Sequence, residues 1–398
     1  MKITFVTYLY WPPHFGGELK ISIERFESLV KRGHSVTVLT SGVPGYPDNE
    51  VINGVHIKRS PIIHNSRFGR GIRRLLFPIW SSCQIRRMKL DILHYGGMGG
   101  IEPITNRLSM QWLNHLAHVK GARVVWVHSL ADSEEVAFGE VNFSEKMRNK
   151  ALEGVDAIVS VSPALQDGVK NYFPEKARLI LNGVRDDVFF PLAVEMRQAF
   201  RKHQGIEDDQ VVFSFLGTLT RRKGFDLLSV AFFDLLNDLP MIRLWAVGPN
   251  NHLENQNYTE NSIDLIGTTT QHIPNAVKYW GRIDDREELA MILASSDVFV
   301  FPSRREGFGL APVEAMACGV PAIISRIPGV TDLVSVEGET GRYVEVNDAK
   351  SLQAAMKELA VNPELRTIMG KAASQRVQKY FGWENHIGKW EALYQSLL

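Results

Sequence analysis

Cysteine is nearly missing: Cys83 and Cys318 are the only two in 398 residues. Two thiols so far apart in sequence cannot frame a disulfide-stapled fold, and a reducing compartment is the default. Long hydrophobic runs are missing as well, since no apolar stretch reaches the length that spans a bilayer. The N-terminal MKITFVTYLYW lacks the separate cationic region and the extended apolar region of a signal peptide, so it reads as a strand. A cytoplasmic chain is expected, with the inner face of a membrane within reach. No G-x-G-x-x-G fingerprint occurs: Gly16–Gly17 and YGGMGG at 95–100 both fail its spacing, which counts against a nicotinamide-dependent oxidoreductase. No recognised nucleic-acid module is present either, so nucleic acid is not an expected partner.

What remains is an ordinary globular composition, 44% hydrophobic and 22% charged, in a chain long enough for about two domains. The net charge of +1 hides an asymmetry. Residues 1–190 carry 24 Lys and Arg against 18 Asp and Glu, or +6, whereas residues 191–398 carry 21 against 26, or −5. The two halves therefore suit different partners.

Short β-branched runs alternate with helix-like sequence. KITFVTYL, HSVTVLT, DILHY, ARVVWVH and DAIVSVS read as buried strands of the first half, and the helix ISIERFESLVK stops at Gly33. VVFSFLG, MIRLWAVG, VKYWG, DVFVFPS and VPAIIS repeat the rhythm in the second. PNNHLENQNYTENSI reads as a long polar loop. Continuous apolar strands with helices between them indicate parallel sheets covered on both faces. Two Rossmann-like domains are expected, joined near Asn182–Pro191: residues 1–183, and residues 184–377. Ligands of such sheets bind beyond the carboxyl ends of the strands, so a cleft between the domains is the expected site.

Several chemically suggestive stretches follow strands directly. GTLTRRKG places Arg221, Arg222 and Lys223 after a strand end, where they could neutralise a diphosphate, the arginines by a fork and the lysine as a point charge. A solvated basic turn opening a helix is the plainer alternative. EGFGLAPVE sets Glu306 on a glycine loop and Glu314 in the helix that follows. Its glycines let backbone N–H groups approach a ligand, Pro312 suits a first helical turn, and a helix N-terminus attracts anions. Glu306 could accept hydrogen bonds from sugar hydroxyls and Glu314 from a ribose. The alternative makes Glu314 a favourable partner of the helix dipole and the glycines a tight turn. His128 ends VVWVH; a strand-end histidine is more often a packing or capping residue.

EGFGLAPVEAMACGVP matches the E-x-F-G-x-x-x-x-E pattern of the retaining glycosyltransferases of family 4, and DVFVFPSRREGFGLAPVEAMACGVPAIIS resembles that family's strand, loop and helix almost throughout. The likeness continues in GGELKISIERFESLVKRGHSVTVLT, NGVRDDVFFP, LGTLTRRKGFDLL, VKYWGRIDDREELAMILASSD and FGWENHIGKWEALYQSL, in family order over most of the chain. It implies the GT-B fold: two facing Rossmann-like domains, with a C-terminal helix, about residues 378–398, crossing back to the first. It further implies hexose transfer from a nucleoside diphosphate sugar, UDP-glucose first and GDP-mannose second, to a glycan or lipid-linked acceptor. A non-catalytic nucleotide-sugar-binding or scaffold protein on the same fold is the alternative.

Roles follow from the resemblance position by position. Glu306 would contact the donor sugar and Glu314 the ribose. Lys223, with Arg221 or Arg222, would hold the diphosphate. Backbone amides of Gly309 and Leu310 would line the phosphates, with Gly307, Phe308 and Thr218 also in the donor site, Gly16 and Gly17 would approach from the first domain, and Arg282 and Ile283 would border the base. His128 matches a histidine beside the reacting centre, so His128, Glu306 and Lys223 are the candidate catalytic residues. Two departures stand out: relatives often carry Arg where this chain has Thr218, and a Glu where PGVTD ends in Asp332. No D-x-D, the usual metal–diphosphate holder of the other transferase fold, is present. Neither metal nor cofactor is therefore expected, with Lys223, an arginine and a helix N-terminus in the metal's place.

One basic stretch lies apart from these motifs. Residues 66–89 hold seven cations (Arg67, Arg70, Arg73, Arg74, Arg86, Arg87 and Lys89) and no acid, interleaved with Leu, Phe, Ile and Trp. Such a segment can lie on an anionic bilayer. Pro78 is expected to break it into two pieces. A solvated, partly packed loop and helix is the equal alternative.

Overall fold

Apolar runs without polar alternation become strands buried on both faces, and here they build two sheets. The computed structural model describes residues 1–8, 10, 17–61, 67–95, 103–128, 152–249, 276–327 and 331–398; at residues 17–18, 67–75, 103–109, 128 and 332–333 it describes the backbone alone. The chain divides into two units, Met1–Asn182 with Glu384–Leu398, and Gly183–Trp383.

The first unit holds β1 (Lys2–Val6), β2 (Ser35–Thr40), β3 (Asn49–Ile52), β4 (Val55–Arg59), β5 (Ile92–Tyr95), β6 (Arg123–His128), β7 (Ala157–Ser160) and β8 (Ala177–Leu179). Their order is β3-β4-β2-β1-β5-β6-β7-β8, parallel except for the β3/β4 hairpin at one edge. That hairpin turns at Asn53 and Gly54, both at positive φ (49° and 83°), as the tight Asn-Gly turn requires.

The second unit holds β9 (Val211–Leu216), β10 (Ile242–Val247), β11 (Val277–Gly281), β12 (Val298–Phe301), β13 (Ala322–Ser325) and β14 (Gly341–Val344). All neighbours are parallel, in the order β11-β10-β9-β12-β13-β14. Counted from its first strand, that is the doubly wound order 3-2-1-4-5-6. The order reverses between β9 and β12, so the loops leaving these two strands flank the crevice at that switch point. Phe213, Phe215, Phe232, Val298 and Val300 fill the core beneath it.

The C-terminal helix, Trp383–Leu397, belongs to the first unit from Glu384 onward. The return thus starts at Glu384 and not near residue 378, because residues 363–381 form a separate helix of the second unit that ends before Gly382. The last helix is tied down by buried polar contacts. Arg25, 1% exposed, lies with its guanidinium 4.1 Å from the Trp390 ring centroid. His94 Nδ1 and the Tyr394 hydroxyl are 2.6 Å apart, and His386 Nδ1 donates to the Leu181 carbonyl at 2.8 Å. At the surface, Arg32 and His34 both pair with Glu391.

The expected break at Pro78 does not occur: Arg67–Arg87 is one helix with the proline inside it. Pro78 still removes the donor that would meet the carbonyl of residue 74. Tertiary packing outweighs that loss. Phe77, Ser81, Ser82 and Ile85 are buried, and Phe77 meets Tyr8 edge-on at 5.5 Å. No helix among the described residues is long and apolar enough to cross a membrane.

Candidate functional site

The loop leaving β9 and the loop leaving β12 are pinned together by backbone. Gly224 sits at φ 71° at the start of the helix Phe225–Asp238, and a Cβ there would lie 1.9 Å from the Pro302 carbonyl oxygen. Only glycine permits that approach. Arg304 N–H donates to the Arg222 carbonyl at 2.8 Å, and the Arg304 guanidinium grips Asp226 through two bonds of 2.7 and 2.9 Å. It also donates to Asn347 Oδ1 and to the Arg221 carbonyl. A planar fork with fixed donors suits such a clamp.

Inside this frame the predicted Lys223, Arg222 and Glu306 meet. Lys223 Nζ donates to Glu306 Oε1 at 2.5 Å, and Ser303 Oγ donates to the same oxygen at 2.7 Å. The nearest Arg222 nitrogen is 3.8 Å from it. Glu306 is well covered, its side chain 9% exposed, whereas those of Lys223 and Arg222 are 18% and 36% exposed. The cations thus keep access to solvent while the carboxylate is held beneath them. Ser303, Arg304 and Asp226 were not singled out in sequence; the run SRREG after a strand shows charge but not which arginine turns inward.

Beyond Glu306 the chain passes Gly307 and the buried Phe308, whose ring meets Phe381 edge-on at 5.8 Å. Gly309 then takes φ 89° and caps the helix Leu310–Ala317 without a side chain. That helix therefore opens with free backbone amides and a positive dipole end.

Glu314 sits inside the helix and is buried, its side chain 9% exposed. Its partner is Arg286, whose Nη1 donates to Oε1 at 2.6 Å and whose guanidinium lies 4.5 Å from the Phe189 ring centroid. Arg286 opens the helix Arg286–Ala294, fixed by Asp285, whose side chain accepts from the Glu287 and Glu288 amides. The same turn carries the predicted Arg282 and Ile283: Arg282 pairs with Asp284 at 2.8 Å and Ile283 is half-buried. Arg286 went unnamed because nothing in REEL distinguishes a buried arginine from a solvated one. Nearby, burial and the Glu314 carboxylate push the Cys318 thiol up, which keeps it protonated and unreactive.

The other predicted positions are more scattered. Thr218 is half-buried, its carbonyl accepting from the Thr220 amide at 2.8 Å, and Arg221 is exposed. In the first unit, Gly17 is the first residue of the helix Gly17–Lys31, while Gly16 lies outside the described residues. His128 ends β6 in register with Ser160, with its backbone alone described. The side chain of Asp332 and most of YGGMGG and PNNHLENQNYTENSI also lie outside the described residues. Among the described residues no three His, Cys, Asp or Glu side chains gather as a metal site.

Two family models match the chain. The description "Glycosyl transferases group 1" covers residues 196–376, and "Glycosyltransferase Family 4" covers residues 24–188. Similar curated proteins include an uncharacterized glycosyltransferase of Methanocaldococcus jannaschii, 27% identical, with 97% of this chain and 95% of that one aligned. The N-acetyl-alpha-D-glucosaminyl L-malate synthase of Bacillus anthracis is 26% identical over 100% of this chain and 97% of its own. Among solved structures, the sucrose-phosphate synthase of Thermosynechococcus elongatus superposes with a TM-score of 0.78 at 23% identity, covering 100% of this chain and 98% of that one. Anabaena HepE, solved in complex with UDP and glucose, gives 0.76 at 17% identity with both chains fully covered.

Proposed function

The chain belongs to the glycosyl transferases of group 1, family 4, with the GT-B fold, and from that premise we propose that it moves a hexose from a nucleoside diphosphate sugar to a glycan or lipid-linked acceptor with retained configuration. The observation that carries this reading is the cluster at the sheet's switch point: Lys223 and Ser303 converge on Glu306 at 2.5 and 2.7 Å, beside a helix that opens with unpaired amides.

In this reading Lys223 leaves its bond to Glu306 for the incoming diphosphate, with Arg222 alongside. Both stand over a carboxylate that Ser303 keeps in place. The amides of Gly309 and Leu310 take the remaining phosphate oxygens, so the leaving group's charge is met without a metal ion. Glu306, released from the lysine, accepts the sugar hydroxyls; Glu314 accepts the ribose. By the family resemblance, His128 would act beside the sugar, Gly16 and Gly17 would approach the phosphates, and Arg282 and Ile283 would border the base. Retention follows from front-face attack, the departing phosphate taking the acceptor proton. UDP-glucose is the first donor to test, in keeping with the UDP and glucose of the HepE complex, and GDP-mannose the second.

The experiment is a sugar-release assay with UDP- and GDP-sugars, run with EDTA and then with added magnesium. Turnover of one donor without metal supports the reading. Tight nucleotide-sugar binding without release, with or without acceptor extract, would leave only a binding protein.

We also propose an anionic membrane surface as the setting of the acceptor. The helix Arg67–Arg87 leaves Leu76 and Ile79 42% and 61% exposed, with Cys83 on the same face, and Trp112 of the neighbouring helix Pro103–Val119 is 51% exposed. Arg86 and Arg87 are exposed at its end, and Arg86 lies 5.7 Å from the Trp112 ring. With seven cations and no acid between residues 66 and 89, a second copy of this face would repel it, whereas anionic headgroups would not. Flotation with phosphatidylglycerol vesicles at low salt, lost in Ile79→Glu, is the expected result; absence of flotation for the unmodified chain would remove the membrane.

A further inference from the structure

The structure assigns a positioning role to Arg286: it holds the Glu314 carboxylate by one oxygen so that the other reads the ribose hydroxyls of the bound nucleoside diphosphate. This rests on the proposed contact between Glu314 and ribose, and adds the residue that makes the contact selective.

Three observations carry it. First, the pair is costly to build. Both partners are mostly out of water, with side chains 15% and 9% exposed, and a buried ion pair seldom improves stability over an apolar pair of the same shape. Its presence asks for a reason beyond stability. Second, the contact is one-sided. Arg286 Nη1 takes Oε1 at 2.6 Å, while Oε2 accepts no hydrogen bond among the described residues. A carboxylate fixed at one oxygen presents the other in a defined direction, and vicinal hydroxyls are the donors that best exploit a fixed acceptor. Third, the arginine is itself locked. Phe189, 1% exposed, lies 4.5 Å from its guanidinium, and the capped turn at Asp285 sets its backbone. Lysine would supply the charge but not the planar group that rests on the phenylalanine ring. The same turn carries Arg282 and Ile283, so a base bordered by these residues would bring its ribose toward the pair.

The test compares UDP, GDP and ADP with their 2′-deoxy counterparts by calorimetric titration of the full chain, using whichever base binds most tightly. The unmodified protein should favour the ribonucleotide by about tenfold, the scale of one hydrogen bond to a charged group. Arg286→Lys should bring that ratio near one while the deoxynucleotide keeps its affinity within about twofold. Glu314→Gln should lower the ratio in the same way. If Glu314→Gln removes the preference and Arg286→Lys leaves it intact, the positioning role fails and the ribose contact survives. If the unmodified protein shows no preference, the ribose contact fails, and the inference with it. A lower melting temperature in Arg286→Lys with an unchanged ratio marks a purely structural pair and overturns the proposal.

Discussion

The two glutamates of the EGFGLAPVE stretch are both ion-paired, at 2.5 and 2.6 Å, yet they are held in opposite ways. Glu306 lies on a loop and shares its lysine with solvent; Glu314 lies in a helix and its arginine is wedged against an aromatic ring. A lysine is a compact charge on a flexible stem and can be handed to a phosphate at small cost. A stacked arginine cannot be moved without unpacking its surroundings. In the proposed mechanism, the difference separates a carboxylate that changes partner during turnover from one that keeps its partner throughout. The largest expected effect breaks the first: Glu306→Ala should lower kcat about a hundredfold or more, the loss typical of an electrostatic group at a reacting centre. Its melting temperature should change little, because Lys223 regains water. A kcat within about threefold of the unmodified enzyme would take Glu306 away from the sugar.

Glu314→Ala should show the reverse pattern. It leaves Arg286 buried without its counter-charge, a loss of about 3 kcal/mol, or roughly 6–12 °C in the melting of a unit this size. Nucleotide affinity should fall about tenfold alongside, with kcat at saturating donor nearly unchanged. Calorimetric melting of the two alanine variants side by side decides the contrast, which equal shifts would erase. Smaller still is Lys223→Met. It should raise the donor KM by roughly tenfold at low salt, and by less at high salt where the lost charge is screened. A salt-independent KM in both proteins would argue that the lysine serves Glu306 alone.

How much of this was legible depended on the kind of signal. Buried parallel strands such as VVFSFL and VFVF announced themselves, because both their faces are covered and no charged residue interrupts them. The short strands were lost: β8 has three residues, and β3 alternates exposed and half-buried positions on a sheet edge. Asn53-Gly54 is the one local signal of the hairpin there. Pro78 misled because propensity is local while the packing of Phe77 and Ile85 is not. In the candidate site, glycine spacing and the helix start pointed to Glu306 and Glu314, whereas Lys223 stood out only through the family resemblance. Their partners were hidden, since Ser303, Arg304, Asp226 and Arg286 acquire meaning only when β9, β11 and β12 are brought into one sheet.

A last contrast sets the units themselves apart. In the first unit, burial and the nearby Arg25 hold His94 well below its ordinary range and bring His386 down to about 3. In the second, the charged group is Asp297, held below the usual carboxylate range by Arg201, Arg197 and the Val212 amide against its own burial. Both kinds of group have folded values below unfolded ones, so both contribute stability at neutral pH that is lost on acidification. The windows differ. The histidines begin to take up protons in the unfolded chain near pH 6.5, so stability drains as the pH falls from there, for His386 toward pH 3, at up to about 1.4 kcal/mol per pH unit for each histidine. Asp297 has no comparable effect until the pH falls below its unfolded value of 3.8. At pH 5.5 the C-terminal helix should therefore exchange its amides faster while the helix Arg286–Ala294 does not. His386→Asn, which keeps a donor to the Leu181 carbonyl, should blunt that acid sensitivity. Equal acceleration in both helices would show that the histidines do not govern how the last helix is held.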